Sequence, residues 1–429
     1  MNSVSLYIHI PFCKKKCSYC DFFSRPCTLQ EDEKYVPDSY LSALCIQAEY
    51  YAKAFNIESW KTIYIGGGTP SLLTAGQLEF LLEGMKKAAV FAKDCEVTVE
   101  MNPDDISESL LFSARKSGVT RISVGIQSLS DKVLKSAGRR CSRQTSLAAL
   151  ELLHEKWNGS FSADLISGLP HDDRKQLENT VGELLAFEPD HISLYSLTLE
   201  EETPLGRAVF SGNLEYDYES ADDCWLTGRN LLEKNGYRQY EVSNFAKPGF
   251  ESEHNKTYWH LENYIGLGAG ATGTIYPYFP EQKFRNFQTD FPFCMKNAVR
   301  WTGSQNLQEF TAFWNDLPDF SDVLKDFTFP DSKIKTVQPV SIEFLDKKTQ
   351  EFEFLMMGFR LLEGVSAAGY EARFGKSLAN RLGAGCGGFF DEWKDRGLAR
   401  CSCRNGHEFF SLTAGGILLL NQFLQNLLD

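Results

Sequence analysis

Three cysteines stand within eight residues near the start of the chain, in Cys13-Lys-Lys-Lys-Cys17-Ser-Tyr-Cys20. Thiolates are soft ligands, and three in one loop can bind three irons of a 4Fe-4S cluster while leaving the fourth iron open to a small molecule. The same residues could form part of a structural zinc site, which needs a fourth ligand. Cys27 or His9 could supply it, so spacing alone leaves both metals open. Lys14, Lys15 and Lys16 would offset some of a cluster's negative charge, though as solvated groups they should contribute little. Cys45, Cys95, Cys141, Cys224, Cys294 and Cys386 are scattered and read as packing residues, as do Cys401 and Cys403 on an expected strand.

Other reactive groups recur behind short β-branched, apolar runs that alternate with helical patterns. Val4–Ile10, Thr62–Ile65, Glu96–Val99, Arg121–Ile126, Phe161–Ile166 and His191–Leu197 read as strands. Tyr40–Phe55, Ala75–Ala92, Ser107–Lys116, Asp131–Ala137, Arg143–Lys156 and Asp173–Leu185 carry apolar residues at three- and four-residue intervals and read as helices. Such alternation implies parallel strands with crossover helices. The strands end, in order, at the cysteine loop, Gly66-Gly67-Gly68-Thr69-Pro70, Glu100, Gln127, Asp164 and Tyr195 to Thr198. One rim therefore collects the reactive groups, where parallel β/α folds bind ligands. The expected fold is α/β: a partial (β/α)6 barrel over 1–275, an irregular connecting region over 276–348 and a smaller helical, winged-helix-like domain over 349–429.

Within 276–348 the stretches Phe320–Phe329 and Lys333–Lys335 give no clear pattern. Beyond it, Glu351–Leu362, Ser366–Phe374 and Phe389–Arg396 read as helices. Leu398–Arg404 and Glu408–Leu412 read as a hairpin turning at Asn405-Gly406, and Thr413–Leu428 as a closing amphipathic helix. The Gly266-Leu-Gly268-Ala-Gly270 segment lacks the βαβ setting of a dinucleotide site, so no nicotinamide cofactor is expected.

The 429 residues carry 44 Lys plus Arg against 57 Asp plus Glu, a net charge of -13, which disfavours nucleic acid as a partner. Hydrophobic residues at 43% and charged residues at 24% are ordinary for a folded globular chain. No apolar stretch approaches the roughly 20 residues of a membrane-spanning helix, and the N-terminal residues lack the pattern of a secretory signal. A cytoplasmic location is therefore expected, and a reducing compartment makes clustered thiols ligands rather than disulfides.

Tyr7-Ile-His9-Ile-Pro11-Phe12-Cys13, the cysteine loop with Tyr19 before Cys20, Gly66 to Pro70, Gly125-Ile-Gln127-Ser128, Asp164-Leu-Ile-Ser-Gly168-Leu-Pro170 and His254-Asn255-Lys-Thr-Tyr258-Trp259 extend the pattern. Together they resemble the radical S-adenosylmethionine (radical SAM) superfamily, in its oxygen-independent coproporphyrinogen III oxidase-like branch. The resemblance runs over most of Ser5 to Gly273 and resumes in the C-terminal domain. It implies a 4Fe-4S cluster on Cys13, Cys17 and Cys20 and S-adenosylmethionine chelated to the open iron. It further implies cofactor contacts from Tyr7, Gly66, Gly67, Gly68, Thr69, Glu100, Gln127, Asp164 and Thr198, with the Gly266 to Ala271 stretch bordering the pocket. Arg139, twelve residues after Gln127, would grip the methionyl carboxylate, with Arg140 as its neighbouring decoy.

Within this branch the decarboxylating oxidase has another cysteine two residues after the third and a longer N-terminal segment. Here Phe22 stands at that position and the cluster loop begins only twelve residues into the chain. Both features resemble the heme chaperone group, whose proposed heme-binding motif matches His254 to Trp259. The implied function is to bind heme, through His254 among others, and to transfer it to an acceptor protein, membrane-associated or not. Cys141 and Thr272 stand where relatives often have histidine, so other imidazole ligands are missing. The oxidase remains the enzymatic alternative and a zinc-stabilised interaction protein the non-enzymatic one, with homodimerisation left open. Replacing Cys17 by Ala should abolish the cluster's visible absorption while far-UV circular dichroism stays native; a normal cluster spectrum would count against the ligand set.

Overall fold

A computed structural model describes residues 2–29, 34–276, 298–317, 334–337 and 340–428. Six strands form its centre: β1 (Ser3–Ile10), β2 (Ser59–Gly67), β3 (Val90–Met101), β4 (Arg121–Gln127), β5 (Ser160–Ser167) and β6 (His191–Ser196). Each pairs in parallel with the next in chain order, so the expected partial (β/α)6 barrel is present. The crossover helices are α1 (Asp38–Ala54), α2 (Ala75–Ala88), α3 (Glu108–Ser117), α4 (Asp131–Ser136), α5 (Arg143–Lys156) and α6 (Arg174–Leu185).

The helix boundaries differ from the sequence expectation for local reasons. Ser107 and Asp173 lie just outside their helices, where their side chains accept backbone N–H bonds as N-caps. Helix α2 stops at Ala88 rather than Ala92 because Val90 already pairs with Ser59 at the start of β3. Along the strands, every second residue packs outward against the helices: Ile122, Val124, Leu165, Ile192 and Leu194 are wholly buried. The intervening positions are polar, and Ser123, Asp164 and Ser193 hydrogen-bond to one another across β4, β5 and β6.

The central sheet continues beyond β1 through Tyr264–Leu267, parallel to it, and then through antiparallel strands Thr272–Ile275, Ala298–Gly303, Val340–Leu345 and Ile334–Val337. Beyond β6 it is extended by the antiparallel strand Asn244–Ala246. The region expected to be irregular is thus regular where it is described. Its helix Leu307–Asn315 lays Phe310 and Trp314 against Tyr40 and Tyr50 of α1, with ring centroids 5.5 Å apart in both pairs. Non-local pairing of this kind leaves no local periodicity to read. Phe320–Phe329, Lys333 and Cys294 lie outside the described residues.

The Gly266 to Gly270 segment begins inside the strand Tyr264–Leu267, contrary to expectation, but leads into the strand Thr272–Ile275 instead of a helix. The setting remains unlike that of a dinucleotide fold.

In the C-terminal region the helices Lys347–Gly358, Ala367–Phe374, Leu378–Leu382 and Phe389–Asp395 pack with a three-stranded sheet of Val365–Ser366, Ala399–Arg404 and His407–Leu412. Asn405 and Gly406, at φ 51° and 79°, form the left-handed turn that the Asn-Gly pair signalled. The closing helix expected over Thr413–Leu428 is instead a 3-10 turn, Gly416–Leu419, followed by Leu420–Gln425. Residue 416 must be glycine, because a Cβ there would lie 1.9 Å from the Leu398 carbonyl oxygen. Gly416→Ala should therefore lower stability by about 1–3 kcal/mol in denaturant unfolding. Gly415→Ala, whose Cβ would meet nothing nearer than 3.8 Å, should change it by less than about 0.5 kcal/mol.

Candidate cluster and cofactor site

The cysteine loop leaves the end of β1 and is fixed from several sides. The short strand Phe12–Cys13 pairs with Arg25–Pro26, and the Cys27 N–H donates to the Cys13 carbonyl at 2.8 Å. Ser18 donates its N–H to the Ala137 carbonyl at 3.0 Å and accepts from the Leu205 N–H at 2.9 Å. Lys14, expected to be solvated, instead pairs at 2.6 Å with Asp105, whose side chain is only 4% exposed. That buried carboxylate also receives the Ser71 hydroxyl, so Lys14 anchors the loop.

The glycine run is required by the protein's own packing. A Cβ at Gly67, which has φ 113°, would lie 2.6 Å from the His9 ring, and one at Gly68 would lie 3.0 Å from Cys13 Sγ. Gly66 faces Tyr64 and Glu100 and does not line the cavity beyond.

That cavity, of about 500 Å3, opens at the carboxyl ends of the strands. Cys13, Cys17 and Cys20 line it, together with Gly67, Gly68, Thr69, Glu100, Gln127, Arg139, Asp164 and Thr198. Gathering them around the ends of all six strands is what the sequence anticipated.

Besides Gly66, Tyr7, His254 and the Gly266 to Ala271 stretch stand apart from the cavity. Tyr7 bonds to His9 Nδ1 at 2.9 Å and stacks on Tyr64, so it backs the wall instead of closing the pocket. Gly266 to Ala271 do not border the cavity; Gly268 packs on the His9 carbonyl and Gly270 on the Phe23 ring. His254 is 1% exposed, with Nδ1 2.7 Å from Thr62 Oγ1 and Nε2 2.9 Å from the Tyr258 hydroxyl. Burial lowers its pKa to about 3, so the ring is neutral and both nitrogens are engaged. In this arrangement His254 ties its helix, Glu253–Trp259, to β2 and has no free nitrogen for an iron.

Glu100 accepts the Tyr64 hydroxyl at 2.7 Å and the Gly67 N–H at 3.2 Å, and burial pushes its pKa up to about 7. Asp164 is raised by burial as well, although hydroxyls of Ser193 and Ser123 at 2.7 and 2.8 Å oppose the shift. Gln127 holds a left-handed backbone at φ 65°, and its Oε1 is buried without a partner. Gln127 thus combines a strained backbone with a buried acceptor that no protein group satisfies. Arg139 contacts the Gly125 carbonyl, and its Nε is buried and unpartnered. Arg140 is engaged by Asp104 at 2.7 Å, whereas no salt bridge to a carboxylate holds Arg139 among the described residues. Asn102, between Thr69 and Arg139, was missed by the sequence reading; its position two residues after Glu100 at a strand end was the available signal.

The donor set discriminates between the two metals considered. His9 uses both nitrogens, on Tyr7 and on the Phe23 carbonyl, and Cys27 points its thiol at the Cys13 carbonyl, so neither is placed as a fourth zinc ligand. Among the described residues no three His, Cys, Asp or Glu side chains converge to hold a single ion. A 4Fe-4S cluster takes one thiolate at each iron that the protein ligates, and three thiols around a cavity end suit a cluster with its fourth iron left open. Burial pushes the Cys20 thiol up to about 11, so bound metal would have to displace its proton.

Comparison with known proteins agrees with this reading. A model of the radical SAM superfamily matches residues 7–184, and one of the HemN C-terminal domain matches 345–387. The heme chaperone HemW of Lactococcus lactis is 39% identical over 63% of this chain and 69% of its own length. The chain belongs to the HemW family of radical SAM proteins. Escherichia coli HemW is 36% identical over 63% of the chain and 70% of its own length. A bovine mitochondrial relative, radical S-adenosyl methionine domain-containing protein 1, is 38% identical over 64% of the chain and 61% of its own length. The solved structure of Escherichia coli coproporphyrinogen III oxidase (HemN) superposes with a TM-score of 0.73 over 99% of this chain and 90% of that one; at 18% identity it shows the shared fold. Superfamily membership implies a 4Fe-4S cluster and S-adenosylmethionine as cofactors. No helix among the described residues is long and apolar enough to cross a membrane.

Because folding raises Glu100 from 4.5 to about 7, the stability its protonation contributes is present below pH 4.5 and is lost as pH rises to 7. Glu100→Gln should remove that part of the pH dependence, at most about 3 kcal/mol, in denaturant unfolding of the metal-free protein across this window.

Proposed function

We propose that the chain is a heme chaperone of the radical SAM type, holding a 4Fe-4S cluster, S-adenosylmethionine and heme and passing heme to an acceptor protein. The observation that carries the first half is the three-thiol loop at one end of a cavity whose walls bear unpartnered polar atoms of Gln127 and Arg139. When bound, cluster and S-adenosylmethionine supply one-electron cleavage of a sulfonium carbon–sulfur bond. Cys13, Cys17 and Cys20 would hold the cluster. The Arg139 guanidinium would meet the methionyl carboxylate, Gln127 Oε1 would accept a hydrogen bond, and Glu100, Asp164 and Thr198 would bind the remaining polar groups. Gly67, Gly68 and Thr69 keep the wall thin beside Cys13.

The chaperone half is supported by the relatives' names and by Phe22. This residue stands where the oxidase branch has a further cysteine, lines the cavity mouth and is 70% exposed. Heme attachment through His254 would require breaking its bonds to Thr62 and Tyr258, so heme contact at Tyr258, Trp259 or elsewhere is the form of the proposal that fits the geometry.

Coproporphyrinogen III oxidation is the competing reading, favoured by the shared fold alone. Protein reconstituted without oxygen should contain iron and sulfide, retain added heme through gel filtration and leave coproporphyrinogen III unchanged in the presence of reductant and S-adenosylmethionine. Stoichiometric protoporphyrinogen formation would overturn the chaperone assignment, as would a failure to retain heme.

A further inference from the structure

Two of the cluster cysteines, Cys17 and Cys13, are joined by a chain of hydrogen bonds whose direction is dictated from one end. Arg139 Nη1 lies 3.8 Å from Cys17 Sγ, and Nη2 lies 3.0 Å from Asn102 Oδ1. Asn102 Nδ2 lies 3.3 Å from Thr69 Oγ1, which lies 3.4 Å from Cys13 Sγ. A guanidinium can only donate, so the Asn102 oxygen must face Arg139 and its amide nitrogen must face Thr69. That nitrogen also only donates, so the Thr69 oxygen accepts there and the hydroxyl proton is left to point at Cys13. Thr69 is 4% exposed, so water offers that proton little competition. The Asn102 backbone is itself held by a 3.1 Å bond to Ser71 Oγ.

The relay gives Cys13 and Cys17 donors that originate in one cation, whereas Cys20 receives the Phe22 backbone N–H. Hydrogen bonds to cluster sulfurs favour the reduced, more negative state and raise the reduction potential. We propose that Thr69 and Asn102 are positioning residues that orient a proton onto Cys13 and so raise the potential at which the bound cluster accepts an electron. The inference rests on the reading that Cys13, Cys17 and Cys20 hold the cluster.

The test is a reductive titration of the reconstituted protein followed by electron paramagnetic resonance, with iron and sulfide measured on every sample. Thr69→Val keeps the shape and removes the donor; Thr69→Ser keeps the donor. Asn102→Leu removes the orienting amide. The midpoint should move to more negative values in Thr69→Val and Asn102→Leu and stay near the unmodified value in Thr69→Ser. Loss of iron and sulfide in Thr69→Val with full retention in Thr69→Ser would also support a hydroxyl that holds Cys13 in place. An unchanged midpoint in a fully loaded Thr69→Val protein would overturn the relay while leaving the cluster reading intact. Failure of the unmodified protein to bind any cluster would remove both.

Discussion

Three thiols can share one inorganic cluster only if a short loop is denied its own freedom. An eight-residue segment left to solvent would sample many arrangements, and ordering it costs on the order of 1–2 kcal/mol per residue. The restraint here comes from elements distant in the chain: Asp105 holds Lys14, Ala137 and Leu205 hold Ser18, and the Cys27 backbone N–H holds the Cys13 carbonyl. The glycine turn after β2 permits Cys13 to sit against the sheet, since any side chain at Gly68 would collide with its sulfur. The surrounding fold can be understood as the frame that makes these restraints simultaneous.

The same frame resolves the problem of burying polar groups inside a parallel sheet. An isolated carboxylate within such a lumen would be expelled or neutralised. Glu100 is neutralised in part, with a pKa near 7, and Asp164 is surrounded by serine hydroxyls from adjoining strands. Both therefore stay poised at the cavity wall as hydrogen-bonding groups. His254 illustrates the converse: an imidazole whose two nitrogens are satisfied internally becomes part of the scaffold, stacked on Tyr64 with a centroid separation of 5.0 Å.

Much of the site could be read before any coordinates. The cysteine spacing, the glycine run and the polar residues at successive strand ends were visible because β-strands point alternate residues to one side and helices repeat at 3.6. Six strands and six helices follow from that periodicity, although β3 begins at Val90, ahead of the expected Glu96. The close approach of Gly416 to Leu398, and the strands contributed by Ala298–Gly303 and Val340–Leu345, were not legible because each depends on a neighbour far away in the chain.

Sequence alone determined the chemistry on offer: which thiols, carboxyls and cations the protein carries, and that they fall on one rim. Tertiary structure decided which of them remain available. It engaged Arg140 with Asp104 and left Arg139 Nε unpartnered, occupied both nitrogens of His254, set Tyr7 behind the wall, and inserted Asn102 between Thr69 and Arg139. Residue type fixes what a group can donate or accept, whereas its partner is chosen only when packing brings distant segments within about 3 Å of one another.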